Sequence, residues 1–317
     1  MITRRSCIGM GIAAAAAASL KSLPALAQAK MIERPIPSTG ERIPVIGLGG
    51  SATFSQAARG GDVSQLKEVM RVLVESGGTV FDTAPSYGES ERVAGEIAKE
   101  LGITKRIFWA TKVNVAPRGG GSADPAAARQ QIEDSFRRIG VEQMDLIQVH
   151  NLGDMATQFP ILEKLKEEKR VRYIGVTTTF PNQYQELIHV MRNEPLDFIG
   201  IDYAVDNRDV EETILPLAQE RKIGVLVYLP FGRTSLFKRV GDRPLPEWAS
   251  EFDAKTWAQF FLKYVLSHPA VTAVTPATSK PANMADNAQG GMGRLPDEAM
   301  RRRMVEFIDS LPAPARS

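Results

Sequence analysis

Three apolar stretches of this chain end on ionisable residues: Gly77-Gly78-Thr79-Val80-Phe81 on Asp82, Ile107-Phe108-Trp109-Ala110-Thr111 on Lys112, and Asp145-Leu146-Ile147-Gln148-Val149 on His150. Each reads as a short buried strand. A phenol, Tyr87, follows the first by one loop, marked by Pro85 and Gly88. Singly, each has an ordinary explanation: a capping Asp82, a packing Tyr87, a solvated Lys112, a hydrogen-bonded structural His150. Together they form a proton-transfer set. A phenol with a pKa of about 10 donates poorly at neutral pH. An adjacent ammonium lowers that value, and a carboxylate keeps the ammonium charged and oriented. The other two histidines, His189 within a helix and His268 before Pro269, read as structural.

Such groups meet only if their strands are parallel neighbours whose C-terminal ends share one edge, where α/β proteins place their chemistry. The hydrophobic pattern supplies that arrangement. Pro44 to Gly49 is a strand ending in glycines, followed by a helix over Leu66 to Glu75 with apolar residues at Leu66, Val69, Met70, Leu73 and Val74. After Asp82 comes a helix from Glu91 to Leu101. After Lys112 comes one that opens at Asp124-Pro125, an N-cap residue with proline at the first helical position, and stops at Gly140. The strand ending at His150 leads to a helix from Pro160 to Lys169. Further strands at Arg172 to Thr177, Phe198 to Tyr203, Gly224 to Pro230 and Val271 to Pro276 are followed by helices at Asn182 to Met191, Val210 to Gln219, Ala254 to Leu266 and Pro296 to Ser310. Eight strand–helix repeats predict an α/β fold of the closed parallel kind, a (β/α)8 TIM barrel.

Gly47-Leu48-Gly49-Gly50-Ser51-Ala52 also matches the dinucleotide fingerprint of a doubly wound sheet. That fold needs a helix opening on the third small residue and an acid about twenty positions on. Here a polar loop through Arg59-Gly60-Gly61-Asp62 intervenes, so Gly49 and Gly50 are expected instead to let the backbone approach a ligand at the barrel mouth.

The first 29 residues differ from the rest. Arg4-Arg5 precede an Ala-rich apolar run from Ile8 to Leu20, and Ala25-Leu26-Ala27 and Ala27-Gln28-Ala29 offer small-residue cleavage sites. Residues 1–29 resemble a twin-arginine export signal, leaving residues 30–317 as a single domain; the run is short for a bilayer span, so no membrane anchor is expected after cleavage. Without them, Lys+Arg falls from 39 to 36 against 37 Asp+Glu, a near-neutral chain with no signature of a nucleic-acid partner. The single cysteine, Cys7, lies in that segment, which excludes disulfides, a thiolate nucleophile and Cys-ligated metal from the remainder.

At this point the residues resemble the aldo-keto reductase superfamily, over roughly residues 36 to 310. Asp82 and Tyr87 in Asp-Thr-Ala-x-x-Tyr-Gly, Lys112 in Ala-Thr-Lys-Val and His150 after Gln148-Val149 match its catalytic tetrad in identity, order and strand position. The resemblance implies NADP(H) lying across the barrel mouth, no metal, and hydride transfer to a small-molecule carbonyl substrate (aldehyde, ketone or quinone) with Tyr87 protonating the oxygen and His150 orienting it. It further implies that Tyr228 stacks on the nicotinamide and that Thr177 and Thr178 stand where Ser-Asn often contacts the carboxamide. Gly200 replaces a carboxamide-binding Gln. Pro230, Phe231 and Gly232, with Arg233 and Ser235 to Phe237, stand where the family it resembles folds a loop over the pyrophosphate. The resemblance also implies Thr278 and Lys280 toward the adenosine 2′-phosphate and Asp286 and Asn287 toward adenine, with Asn283 in the place of a common arginine. Phe54, Trp109, Asn114 and Trp248 are candidate pocket residues. The leader implies the twin-arginine export machinery as a partner, transport of an already folded chain, and a periplasmic location. The competing reading, motivated by Gly200 and the threonine pair, is an NADP(H)-binding sensor with little turnover.

Overall fold

The computed structural model describes residues 30–51, 54–56, 62–117 and 121–312, so the expectations for residues 1–29 lie outside the described residues. The chain opens with a hairpin absent from the sequence reading. Strands β1 (Glu33–Pro35) and β2 (Arg42–Pro44) pair antiparallel, Arg34 opposite Ile43. They are too short, and too rich in proline, to register as hydrophobic periodicity.

The barrel follows. Strands β3 (Leu48–Gly49), β4 (Val80–Asp82), β5 (Phe108–Val113), β6 (Met144–Val149), β7 (Val171–Thr178), β8 (Phe198–Asp202), β9 (Gly224–Tyr228) and β10 (Ala273–Val274) pair in sequence order, all parallel. Ile46 bridges Val274 in parallel, and Val274 N–H donates to Val45 O at 2.9 Å, so the eighth strand meets the first and the sheet closes.

Helices cover the outside. α1 (Ser64–Glu75) buries Leu66, Val69, Met70, Leu73 and Val74, the stripe expected of it. α2 (Ser90–Glu100) and α3 (Pro125–Ile139) follow; Asp124 caps α3, accepting from Ala126 N–H at 2.8 Å, and Gly140 ends it in the left-handed conformation. α4 (Met155–Glu167) starts five residues before the expected Pro160, which lies inside it. Asp154 is its N-cap, its carbonyl accepting from Thr157 and Gln158 N–H while its side chain accepts from Ala123 N–H at 2.6 Å. α5 (Tyr184–Asn193), α6 (Ile214–Glu220), α7 (Ser235–Val240), α8 (Trp257–Ser267), α9 (Pro281–Gly290) and α10 (Glu298–Ser310) complete the shell.

Two cores result. One lies between sheet and helices. The other fills the barrel, where Val80, Phe108, Leu146, Tyr173, Phe198 and Leu226 meet Ile36 and Ile43 of the hairpin. The hairpin is therefore the floor of the barrel at the strands' N-terminal ends. Arg34 ties it there by donating to the carbonyls of His268 (2.9 Å), Val271 and Leu266 just before β10. The opposite end remains for chemistry.

Candidate active site

The ends of β4, β5 and β6 bring Asp82, Lys112 and His150 to one mouth, with Tyr87 above them from the loop after β4. Lys112 is 1% exposed and Asp82 4%; Lys112 Nζ donates to Asp82 Oδ2 and to Thr83 O, each at 2.8 Å. The same ammonium lies 5.1 Å from the centroid of the Tyr87 ring, and His150 meets that ring edge-on at 5.9 Å and 82°. The four side chains form one cluster.

Burial pushes the Asp82 carboxyl up, and Lys112 and the Tyr228 phenol pull it back. Burial also works against the Lys112 ammonium, but Asp82 and Tyr87 outweigh it and leave Lys112 above its ordinary value. A buried ammonium so held requires its carboxylate ionised, and the pair is read as charged. For Tyr87 the expectation needs correcting. The ammonium does pull the phenol down, yet burial outweighs it and the net displacement is upward, with Arg233 adding a smaller downward pull. Burial, then Lys112, hold His150 down at about 3. This imidazole is neutral wherever the protein works. It can donate or accept a hydrogen bond but does not carry a transferable charge, and its buried Nδ1 has no partner.

The residues predicted to bind a cofactor divide. Gly49 and Gly50 reach the mouth, Gly50 N–H donating to Asp82 O at 2.7 Å, and their smallness has a cause within the fold. A Cβ on Gly49 would lie 2.8 Å from Thr275 O, and one on Gly50 2.5 Å from Ser90 Oγ. The barrel's own packing already calls for a small residue at both positions. Thr177 Oγ1 accepts from Asn151 N–H at 3.1 Å, and Thr178, fully buried, is bonded to Gln183 Oε1 and Phe180 N–H. Tyr228 ends β9 with its ring partly exposed and its hydroxyl turned inward. Pro230 is buried behind it, and Phe231 and Gly232 begin a loop in which Gly232, Arg233 and Thr234 all have positive φ.

Beyond that loop, Thr278, Lys280, Asn283, Asp286 and Asn287 line one cavity of about 470 Å³ with Phe231, Phe237 and Trp257. Lys280 is exposed at the N-cap of α9, its N–H bonded to Thr278 Oγ1 at 3.1 Å. Asp286 is less free than expected: its two oxygens accept from Thr256 Oγ1 (2.8 Å) and Gln259 Nε2 (2.6 Å).

Three aromatic pocket candidates are packing residues. Phe54 and Trp109 sit on either side of Phe81 in the core, and Trp248 packs on Phe252, Phe260 and Phe307 outside the barrel. Asn114, half-buried just after β5, is held by Gln131. Sequence reasoning passed over Gln148. It lies two residues before His150 and is, after the opening Asp145, the one polar residue of an apolar run.

A closed barrel with a phenol, an ammonium, a carboxylate and a neutral imidazole at its mouth defines a class of protein that gathers its ionisable groups on parallel strand ends. The comparisons give that class its family. The model of the aldo/keto reductase family matches residues 45–304, and the chain belongs to that family. A probable aldo-keto reductase of Glycine max is 33% identical over 177 residues, covering 52% of this chain and 49% of that protein. The aldo-keto reductase YhdN of Bacillus subtilis (strain 168) is 30% identical over 201 residues, 61% of this chain and 60% of that protein. The chain thus matches about half the length of the one and less than two thirds of the other. Among solved structures, the holo form of an aldo-keto reductase from Bacillus halodurans superposes with a TM-score of 0.69 at 24% identity, covering 90% of this chain and 98% of that one. One from Klebsiella pneumoniae in complex with NADPH does so with the same TM-score, identity and coverage. At that identity the likeness speaks for the fold.

Proposed function

We propose that the protein is an NADP(H)-dependent oxidoreductase that reduces the carbonyl group of a small molecule. The observation that carries this reading is the buried Asp82–Lys112 pair set against the Tyr87 phenol. The solved relative from Klebsiella pneumoniae that holds NADPH supports the choice of cofactor. So does the chain itself. The cavity of about 470 Å³ past the mouth is lined by Thr278, Lys280 and Asn283 at the start of α9, where a helix N-terminus and a cation favour a phosphate.

NADPH, when bound, supplies the hydride; the remaining work falls to the chain's own groups. Tyr87 gives its phenol proton to the carbonyl oxygen as the carbon is reduced, so that a C–H and an O–H bond form and an alcohol leaves. Lys112 stabilises the phenolate left on Tyr87, and Asp82 holds Lys112 in place and charged. His150, neutral, orients the same oxygen by a hydrogen bond and does not compete as an acid. The test is NADPH oxidation by the purified protein with a panel of aldehydes, ketones and quinones. Turnover with at least one class supports the reading; tight NADPH binding without turnover makes the protein a sensor.

A second part of the proposal concerns place. The paired arginines, apolar run and small-residue sites of residues 1–29 support export through the twin-arginine route, with NADP(H) bound before transport. Replacing Arg4 and Arg5 by lysines should strand active precursor in the cytoplasm. Mature protein still reaching the periplasm would sink the route, and a wild-type periplasmic form free of nucleotide would sink the loading.

A further inference from the structure

Gly200 leaves a space in β8, and a neighbour fills it. A Cβ built on Gly200 would lie 2.5 Å from both Cε2 and Oη of Tyr228. The Tyr228 ring, from the end of β9, therefore leans across β8 only because position 200 has no side chain. Leaning in, its phenol stands 3.0 Å from Asp82 Oδ1 and 3.1 Å from Gln148 Nε2. The direction of the phenol proton follows from these partners. The Gln148 amide donates into the phenol's lone pair, so the single O–H is left for the carboxylate, which is acceptor only. Gln148 is wholly buried and is fixed at the phenol by that bond. Asp82 thus has one oxygen on Tyr228 and the other on Lys112, and Lys112 Nζ lies 5.3 Å from the Tyr228 ring centroid and 5.1 Å from that of Tyr87.

We propose that Tyr228 is a positioning residue: with Gly200 leaving room for its ring, its phenol pins one oxygen of Asp82, which keeps the other on Lys112 and Lys112 against Tyr87. A carboxylate held by one bond swings about its terminal torsion; held at both oxygens by groups from two other strands, it does not. The bond also favours the ionised carboxylate in a site that otherwise disfavours charge. Gly200 acquires a reason that belongs to this chain. It makes room for the ring, and Gln148 aims the ring's hydroxyl.

The proposal rests on the reductase reading, and its test separates the two. Tyr228→Phe keeps the ring and removes the donor. In cofactor-free protein, the Asp82 carboxyl followed by ¹³C NMR should titrate higher by about one pH unit, the consequence of losing one hydrogen bond to a charge. With NADPH and a substrate, kcat should fall about tenfold and the acid limb of its pH profile should move up with Asp82, while the NADPH dissociation constant stays within about twofold. Gly200→Ala reaches the same bond from the other side. By displacing the ring it should reproduce the Asp82 shift with the phenol still present, and it keeps the test open should Tyr228→Phe fail to fold. Adding Tyr228→Phe to Gly200→Ala should move Asp82 no further. An unmoved Asp82 in a protein that oxidises NADPH overturns the positioning role alone; a moved Asp82 in a protein that never oxidises NADPH overturns the reductase reading alone.

Discussion

At the scale of residues, the mouth is a problem in keeping charge inside a protein. Lys112 and Asp82 are almost wholly buried, and each is tolerable only because the other is 2.8 Å away. Tyr87→Phe, which keeps ring volume and loses the proton, should lower turnover by about 10² to 10⁴ with little change in NADPH affinity; retained activity would remove Tyr87 as the donor. Lys112→Met takes away the cation that pulls the phenol down, so the phenol's pKa rises further. Turnover should fall, and the alkaline limb of the pH–rate profile, where Tyr87 loses its proton, should move to higher pH; a limb that stays put would refute the pairing. The identities of these four residues were legible because three of them end apolar runs and the fourth, Tyr87, lies one loop beyond the first. Their energetics were not. A neighbouring ammonium can be inferred from sequence, but the depth of burial that outweighs it at Tyr87 cannot. Nor does sequence say that Phe54 and Trp109 face the core, since an aromatic residue in a barrel strand or loop reads the same whichever side it takes.

At the scale of elements, what was legible is what has a period. The α1 stripe, the Asp124 cap and the apolar strands all announce themselves locally. Asp124→Ala should destabilise the fold by about 1 kcal/mol, the loss of one N-cap, measured by urea denaturation; no change would show that Pro125 alone starts α3. The floor hairpin had no such signal, because β1 and β2 have three residues each and contain Pro35 and Pro44. Its importance comes from long-range bonds. Arg34→Ala should remove the anchoring of the hairpin to the carbonyls before β10 and lower stability by about 1.5–3 kcal/mol. The kcat should be unchanged, since the mouth lies at the other end of every strand; a fall in kcat matching the fall in stability would mean that floor and mouth are coupled. Pro160 teaches a related point. A proline marks where a helix can begin, yet α4 begins five residues before Pro160, with Asp154 as its N-cap.

At the scale of the whole molecule, stability and acidity are linked through two imidazoles kept neutral. His150 is held at about 3 and His268 at about 4, against an ordinary value of 6.5, each mainly by burial. In between, the unfolded chain binds more protons than the folded one, so stability is full above about pH 6.5 and declines as pH is lowered through that window. Denaturation curves across this range should show the decline, and His268→Gln, away from the mouth, should make it shallower; an unaltered slope would mean that His268 is not held neutral. The closed ring was legible from eight repeats, while its seam, where Gly49 fits against Thr275, was not, because the contact joins residues far apart in the chain. The floor has one more consequence. Met31 bridges Met292 and β1 begins at Glu33, so the described chain starts at the pole of the barrel opposite Tyr87 and His150. Lys30 therefore offers a point of attachment at the pole away from the mouth. A solid support coupled directly at Lys30 leaves the mouth facing solution, and a chain tethered there should turn over substrate as fast as one that swims free.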